Sequence, residues 1–219
     1  MSGARRGRFV VLEGIDGCGK TTQLQQLQDW LPVSGLIAPG CALRVTREPG
    51  GTALGLALRQ LLLHPPAAAA PGERAELLLY AADRAQHVDT VIRPALEAGD
   101  WVLSDRFCGS TAAYQGHGRG LPLDLIEQLR RIATGGLEPD LTLWLELPLA
   151  TAIGRRAGRA ADRIEAGGSA FLERVHRGFA ALAAAEGWCR LDAAAPADAV
   201  AAACRLALAR RFGAAAADG

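Results

Sequence analysis

Lysine is all but missing from this chain. Lys20 is the only one in 219 residues, and every other side chain of permanent positive charge is arginine. That scarcity excludes a guanine-reading Asn/Thr-Lys-x-Asp segment, since Lys20 stands in another context. An excess of either charge is missing too. With a formal net charge of +1, neither a general nucleic-acid binder nor a membrane-surface binder is expected, because such partners leave a basic excess. Any electropositive site must be local. Cysteines are few and scattered, at 18, 41, 108, 189 and 204, with no CxxC pair and no accompanying histidines. An odd, dispersed set favours reduced thiols over disulfides or zinc, which suits the cytoplasm. No apolar run is of transmembrane length. The basic opening Met-Ser-Gly-Ala-Arg-Arg-Gly-Arg precedes an apolar run that stops at Leu12, too short for a signal peptide.

What is present is a globular composition, 50% hydrophobic and 21% charged. The length suits one substantial α/β domain and leaves no room for two large ones. Residues 1–212 are expected to form it, with 213–219 as a flexible alanine-rich tail. The informative stretch is Arg8-Phe-Val-Val-Leu-Glu-Gly-Ile-Asp-Gly-Cys-Gly-Lys-Thr-Thr22, an apolar run feeding a glycine-rich loop. Gly14 and Gly19 satisfy GxxxxGK[ST], with Gly17 between them. Residues without a Cβ let successive backbone N–H groups turn onto phosphate oxygens. Lys20 would then bridge the β- and γ-phosphates, and Thr21 would offer its hydroxyl to Mg²⁺. The helix opening near Gly19 adds the positive end of its dipole. If the bias toward arginine were indifferent to chemistry, a lone lysine would land on this position roughly once in two hundred placements.

Strand and helix patterns alternate along the rest of the chain. Strands are expected at Phe9–Leu12, Ala42–Thr46, Trp101–Ser104, Leu141–Leu147 and Cys189–Leu191. Helices are expected from Gly19 to Trp30, Thr52 to Leu63, Glu73 to Ala98 with a break at Pro94, Leu121 to Ala133, Leu149 into Arg155–Arg163, Ser169 to Glu186 and Ala197 to Phe212. The alternation implies right-handed crossovers and a three-layer α/β/α fold around a five-stranded parallel sheet. Ligands of such sheets gather at the carboxyl ends of strands. Gly14, Arg47 and Asp105 all fall there.

If the phosphoryl acceptor is itself a phosphate monoester, its oxygen is already anionic near neutral pH and needs no general base. The difficulty becomes repulsion between anions, which calls for alignment, Mg²⁺ and arginine forks. The chain offers Arg47 and Arg106 at strand ends, Arg84 in a long helix, and Arg155, Arg156, Arg159 and Arg163 in an expected mobile flap.

These residues resemble a family. Glu13-Gly-Ile-Asp-Gly-Cys-Gly-Lys-Thr-Thr22, Thr46-Arg-Glu-Pro-Gly-Gly-Thr52, Leu79-Tyr-Ala-Ala-Asp-Arg-Ala-Gln-His87, Asp105-Arg-Phe107 with Ser110 and Ala113-Tyr-Gln-Gly116, and Asp162-Arg-Ile-Glu165 look like bacterial thymidylate kinase. They occur in that family's order. The resemblance implies transfer from ATP to dTMP with Mg²⁺ in a P-loop nucleoside monophosphate kinase, and a homodimer. The ATP cradle is then Gly14, Ile15, Asp16, Gly17, Cys18, Gly19, Lys20, Thr21 and Thr22, with Arg155 against the adenine. Thr21, Asp105 and Asp16 are the implied metal neighbours. The acceptor pocket is drawn from Asp16, Arg47, Tyr80, Arg84, Arg106, Ser110, Tyr114 and Gln115. Tyr80, where the family usually has phenylalanine, stacks on the base, Ser110 and Gln115 line it, Arg106 clamps the phosphate, and Tyr114 crowds the sugar's 2′ position. The loop carries no arginine after Asp16, so the catalytic arginine falls to the flap called the LID, about 154–167, beside Lys20 and Arg106. Arg156 and Arg159 both remain open for that role. A kinase for another nucleoside monophosphate and a non-enzymatic P-loop switch stand as alternatives.

Overall fold

A computed structural model describes residues 6–157, 163, 164 and 167–213. Arg159, Asp162, Glu165 and the tail beyond Gly213 lie outside the described residues. The sheet is built around β1 (Phe9–Glu13), which is buried along its whole length, as a strand covered on both faces must be. On one side β1 pairs in parallel with β3 (Trp101–Asp105), and β2 (Leu43–Arg47) lies outside β3. On the other side it pairs with β4 (Leu141–Glu146), followed by β5 (Cys189–Asp192). The order is β2-β3-β1-β4-β5, all parallel, the expected five-stranded α/β architecture.

Side chains alternate across the sheet. Val10 and Leu12 join the larger core with Leu24, Leu27, Val175 and Phe179, while Phe9 and Val11 join a second core with Val88, Ile92, Leu96 and Phe107. The helices are α1 (Lys20–Trp30), α2 (Ala53–Leu63), α3 (Glu73–His87), α4 (Arg93–Glu97), α5 (Cys108–Thr111), α6 (Leu123–Thr134), α7 (Leu149–Arg156), α8 (Ser169–Glu186) and α9 (Ala197–Phe212). Thr52 caps α2 as its sequence predicts, its hydroxyl accepting the Gly55 N–H at 2.9 Å.

Three local features differ from the sequence reading. The second strand runs one residue later, Leu43–Arg47, and its residues are half-buried to exposed, because it is an edge strand. No break occurs at Pro94. A π-helical turn, Val88–Ile92, joins α3 to α4, with the Arg93 N–H reaching back to Val88 O, and the imide nitrogen that cannot donate falls just beyond it. Residues 108–118, read only as a motif, form α5 and a π-helical segment Ala112–Gly118. Glycine-rich composition hides that helix, yet packing requires the glycines. A Cβ on Gly118 would sit 2.6 Å from the Phe171 ring, and one on Gly178 would sit 2.7 Å from His117. The segment therefore lies against α8 at close range.

The 46–52 turn after β2 is tied to α3 by three consecutive-face side chains. His87 joins Thr46 Oγ1 (2.7 Å) to Glu48 (2.9 Å), Arg84 donates to Glu48 (2.8 Å), and Asp83 accepts the Gly50 N–H (3.0 Å). Asp83 is buried, and its Oδ2 has no hydrogen-bond partner. Burial, joined by the negative charge of Glu48, pushes its carboxyl up to about 6 from an ordinary 3.8. The native fold thus holds this proton more tightly than the unfolded chain does, so Asp83 lowers stability as pH rises from 3.8 to about 6 and the loss persists above that window. Asp83→Asn keeps an acceptor for Gly50 without the charge. It should melt above the wild type at pH 7.5, with the gap closing by pH 4; a lower melting temperature at both pH values would contradict this assignment.

Candidate active site

The β1–α1 loop forms as its glycines dictate. Gly14, Gly17 and Gly19 have φ of 144°, 88° and 97°, a region closed to most side chains. Space imposes a second constraint. A Cβ on Gly14 would lie 2.7 Å from Leu145 O, and one on Gly17 would lie 2.8 Å from Ala152 O and 3.2 Å from Arg156 Cγ. The end of β4 and helix α7 therefore press on the loop. Lys20, 6% exposed, donates to Gly14 O (3.0 Å) and Ile15 O (3.1 Å), with Asp16 Oδ1 3.9 Å away.

An open cleft of about 820 Å³ runs over this loop, bounded by Thr21, Arg47, Asp105, Arg155 and Arg156, a size suited to a nucleotide. Arg155 donates to Ala193 O at 3.1 Å, which sets its guanidinium against the loop before α9. At the other end of the cleft Asp105 carries a buried Oδ1 without a hydrogen-bond partner. Register places Asp105 beside both Leu12 and Arg47, on the carboxyl rim of three strands.

A second cavity opens deeper, lined by Tyr80, Arg84, Thr111, Tyr114 and Gln115, and it shares Asp16, Arg59 and Arg106 with the cleft. Arg106 sits where the two meet. Its φ is +72°, rare for a residue with a Cβ, and its N–H donates to Leu12 O (2.9 Å) while its carbonyl accepts from Ser104 Oγ (2.8 Å). The guanidinium donates to Gly14 O (3.1 Å), Ser110 Oγ (2.8 Å) and Asp16 Oδ1 (2.5 Å), and stands 5.3 Å from the Tyr114 ring centroid.

Charge follows from this packing. Burial pushes the Asp16 carboxyl up, but Arg106 and Lys20 prevail, aided by the Tyr114 hydroxyl at 3.0 Å, and hold it well below the usual carboxylate range. Burial and the neighbouring Asp16 raise the Tyr114 phenol well above its ordinary value, so it remains a donor. Glu13, fully buried, is pushed up by desolvation despite Arg106 and three hydrogen bonds, from Phe107 N (2.9 Å), Ser110 N (3.0 Å) and Ser110 Oγ (2.6 Å).

Most sequence-predicted residues converge. Gly17, Cys18, Gly19, Lys20, Thr21, Thr22, Arg47, Asp105, Arg155 and Arg156 line the cleft; Tyr80, Arg84, Ser110, Tyr114 and Gln115 line the deeper cavity. Arg159 falls outside the described residues. Arg163 donates to Glu76 (2.5 Å) and to Leu62 O (2.9 Å). Ser110 lines the deeper cavity as expected, and its hydroxyl also bonds to Glu13 and Arg106. The neighbouring Thr111, which sequence reasoning missed, accepts from Arg84 (3.0 Å) at the cavity wall. Arg59 was missed as well: on α2 it reads as a solvated helix arginine, yet it donates to Pro49 O (3.0 Å) and borders both cavities. Only the Thr52 cap, which fixes the phase of α2, hinted at its direction.

The Thymidylate kinase family model matches residues 12–204. The thymidylate kinase of Synechococcus sp. (strain RCC307) is 70% identical over 191 residues, 87% of this chain and 90% of that protein. That of Prochlorococcus marinus (strain MIT 9313) is 63% identical over 207 residues, 94% of this chain and 96% of that protein. Similarity of this extent runs through both cavities and the wall between them, and the chain belongs to the thymidylate kinase family, ATP-dependent phosphotransferases that convert dTMP to dTDP.

Proposed function

We infer that ATP occupies the open cleft and dTMP the deeper cavity, with phosphoryl transfer across the wall they share. The observation that carries this reading is that Asp16, Arg59 and Arg106 border both spaces, which is what an in-line transfer between two bound phosphates requires. Tyr80 supplies a ring for stacking on the base, and Arg84, Thr111 and Gln115 supply polar groups at its edge. Arg106, which borders both spaces, takes the acceptor phosphate, and Arg47 faces it from the cleft side. That phosphate is already anionic, so no side chain removes a proton; the residues align the anions and supply positive charge.

The site fits Mg²⁺, which Asp105 and Thr21 would hold and which would supply positive charge against the phosphates. Support comes from the unpartnered Oδ1 of Asp105 at the strand rim, with the Thr21 hydroxyl on the same cleft. Asp16 is the weaker candidate ligand, since both its oxygens are engaged by Arg106 and Tyr114. Among the described residues no cluster of three His, Cys, Asp or Glu side chains suits a metal.

The catalytic arginine is supplied by the LID. Arg156 crosses the phosphate loop at Gly17, while the loop itself holds no arginine. Arg156→Ala should lower kcat about 100-fold or more with KM for both nucleotides within about threefold. Arg159→Ala measured alongside decides between the two, and if neither variant loses kcat the LID assignment falls. Substrate class is tested by coupled ADP release with dTMP, dUMP, UMP, CMP, AMP and GMP. Turnover is expected with dTMP foremost, with dUMP trailing by about 10- to 200-fold for one missing methyl. Turnover confined to AMP or GMP, or ATP hydrolysis indifferent to acceptor, would remove the reading.

The chain is further expected to be a cytoplasmic homodimer of a single domain. Five free cysteines support a reducing compartment; thiol titration of the denatured, non-reduced protein should recover all five, Cys18 and Cys204 being buried in the native fold. Exposed Leu54, Leu56 and Leu61 on α2, Leu78 on α3 and Ile132 on α6, helices in mutual contact, support a dimer face. Sedimentation at twice the chain mass is the expected result, and a monomer at micromolar concentration would contradict it.

A further inference from the structure

Behind the deeper cavity lies a carboxylate that touches neither nucleotide space. Glu76 on α3 is fully buried. Its Oε1 accepts the Gln115 Nε2–H at 2.8 Å, and its Oε2 accepts from Arg163 Nη2 at 2.5 Å and Arg119 Nη2 at 3.2 Å. A carboxylate flanked by two guanidiniums only accepts, so the edge of the Gln115 amide that faces it must be the NH₂. The amide oxygen occupies the opposite edge, toward the cavity that Gln115 lines with Arg84. Arg84 is likewise constrained. Its Nε donates to Glu48 and its Nη2 to Phe107 O and Thr111 Oγ1, which leaves Nη1 as the donor for the cavity.

We propose that Glu76 is a positioning residue for base selection: by fixing the amide of Gln115 with its oxygen toward the acceptor, it sets a preference for a pyrimidine that carries a ring N–H. A fixed acceptor beside a fixed donor matches the imide edge of thymine or uracil, an N–H next to a carbonyl. Cytosine presents a ring nitrogen and an amine there, wrong at both positions. A mismatched buried polar pair discriminates strongly because the site's own groups are left unpaired. The inference rests on the assignment of dTMP to this cavity and says nothing about the 5-methyl group.

Glu76→Gln alone would leave Arg163 and Arg119 facing a neutral amide, a change that endangers folding. The charge-balanced pair is Arg163→Gln as reference and Glu76→Gln/Arg163→Gln as test, each checked by circular dichroism. For both, kcat/KM is measured with dTMP and dCMP, together with KM for ATP. The reference should keep the wild-type dTMP:dCMP ratio within about threefold, and the double variant should lower that ratio by about tenfold or more, through a higher KM for dTMP, with KM for ATP unchanged. A merely structural role would depress both acceptors alike, and an unchanged ratio in a folded double variant overturns the proposal. Wild-type enzyme gives an independent reading. dTMP methylated at N3 should compete no better than dCMP, and competition equal to dTMP also overturns it. Failure of the underlying assignment looks different, since Tyr80→Ala at the wall of that cavity would then leave KM for dTMP unchanged.

Discussion

The Arg106 guanidinium stands where the cleft over the phosphate loop meets the deeper cavity. It reaches that point from a backbone conformation that disfavours it, at φ +72°, a strain on the order of 1–3 kcal/mol. Main-chain bonds to Leu12 O and from Ser104 Oγ hold the conformation, and the side chain adds Gly14 O, Ser110 and Asp16. Each neutral bond nets about 1 kcal/mol and each charged one somewhat more, enough together to keep the strained backbone conformation. The phosphate loop, the end of β3 and helix α5 are thus cross-linked by one side chain. Loss of any partner would free a cation at the place where two anions must meet.

A common plan connects the other polar groups. A guanidinium is a rigid fork of five donors, so a carboxylate behind it, gripping some of them, decides which remain in front. Glu48 does this for Arg84, Glu13 acts on Arg106 through Ser110, and Glu76 does it for the Gln115 amide. The carboxylates are buried and the cavity faces are basic, which offsets the charge of an arginine-lined site before any phosphate enters. It also accounts for a chain of nearly neutral net charge binding two polyanions. The sole lysine stands where a point charge on a flexible stem is needed, and arginine stands wherever direction matters.

Much of this was legible in the sequence because local chemistry fixed it. The phosphate loop needs glycine at given offsets, the Thr52 cap needs its hydroxyl, and a continuous apolar run at 9–12 with a nearly unbroken one at 141–147 announced central strands of a parallel sheet. What stayed hidden depends on contacts between distant segments. The 108–118 helix carries glycines that local propensity penalises and that packing against Phe171 and Trp188 demands. Arg59 and Thr111 resemble surface residues until the 46–52 turn and the fold of α5 aim them inward. Nor does the sequence display the bond from Ser110 to Glu13, 97 residues earlier in the chain. Pairings of that separation leave no local pattern.

The same physics shapes the flap. Arg155 meets Ala193 O beside the cleft and the stem of Arg156 lies against Gly17, while Arg163 meets Glu76 and Ile164 borders the deeper cavity. The obstacle to the family's reaction is the repulsion of two anions, and the arginines bordering the two cavities supply the positive charge that offsets it.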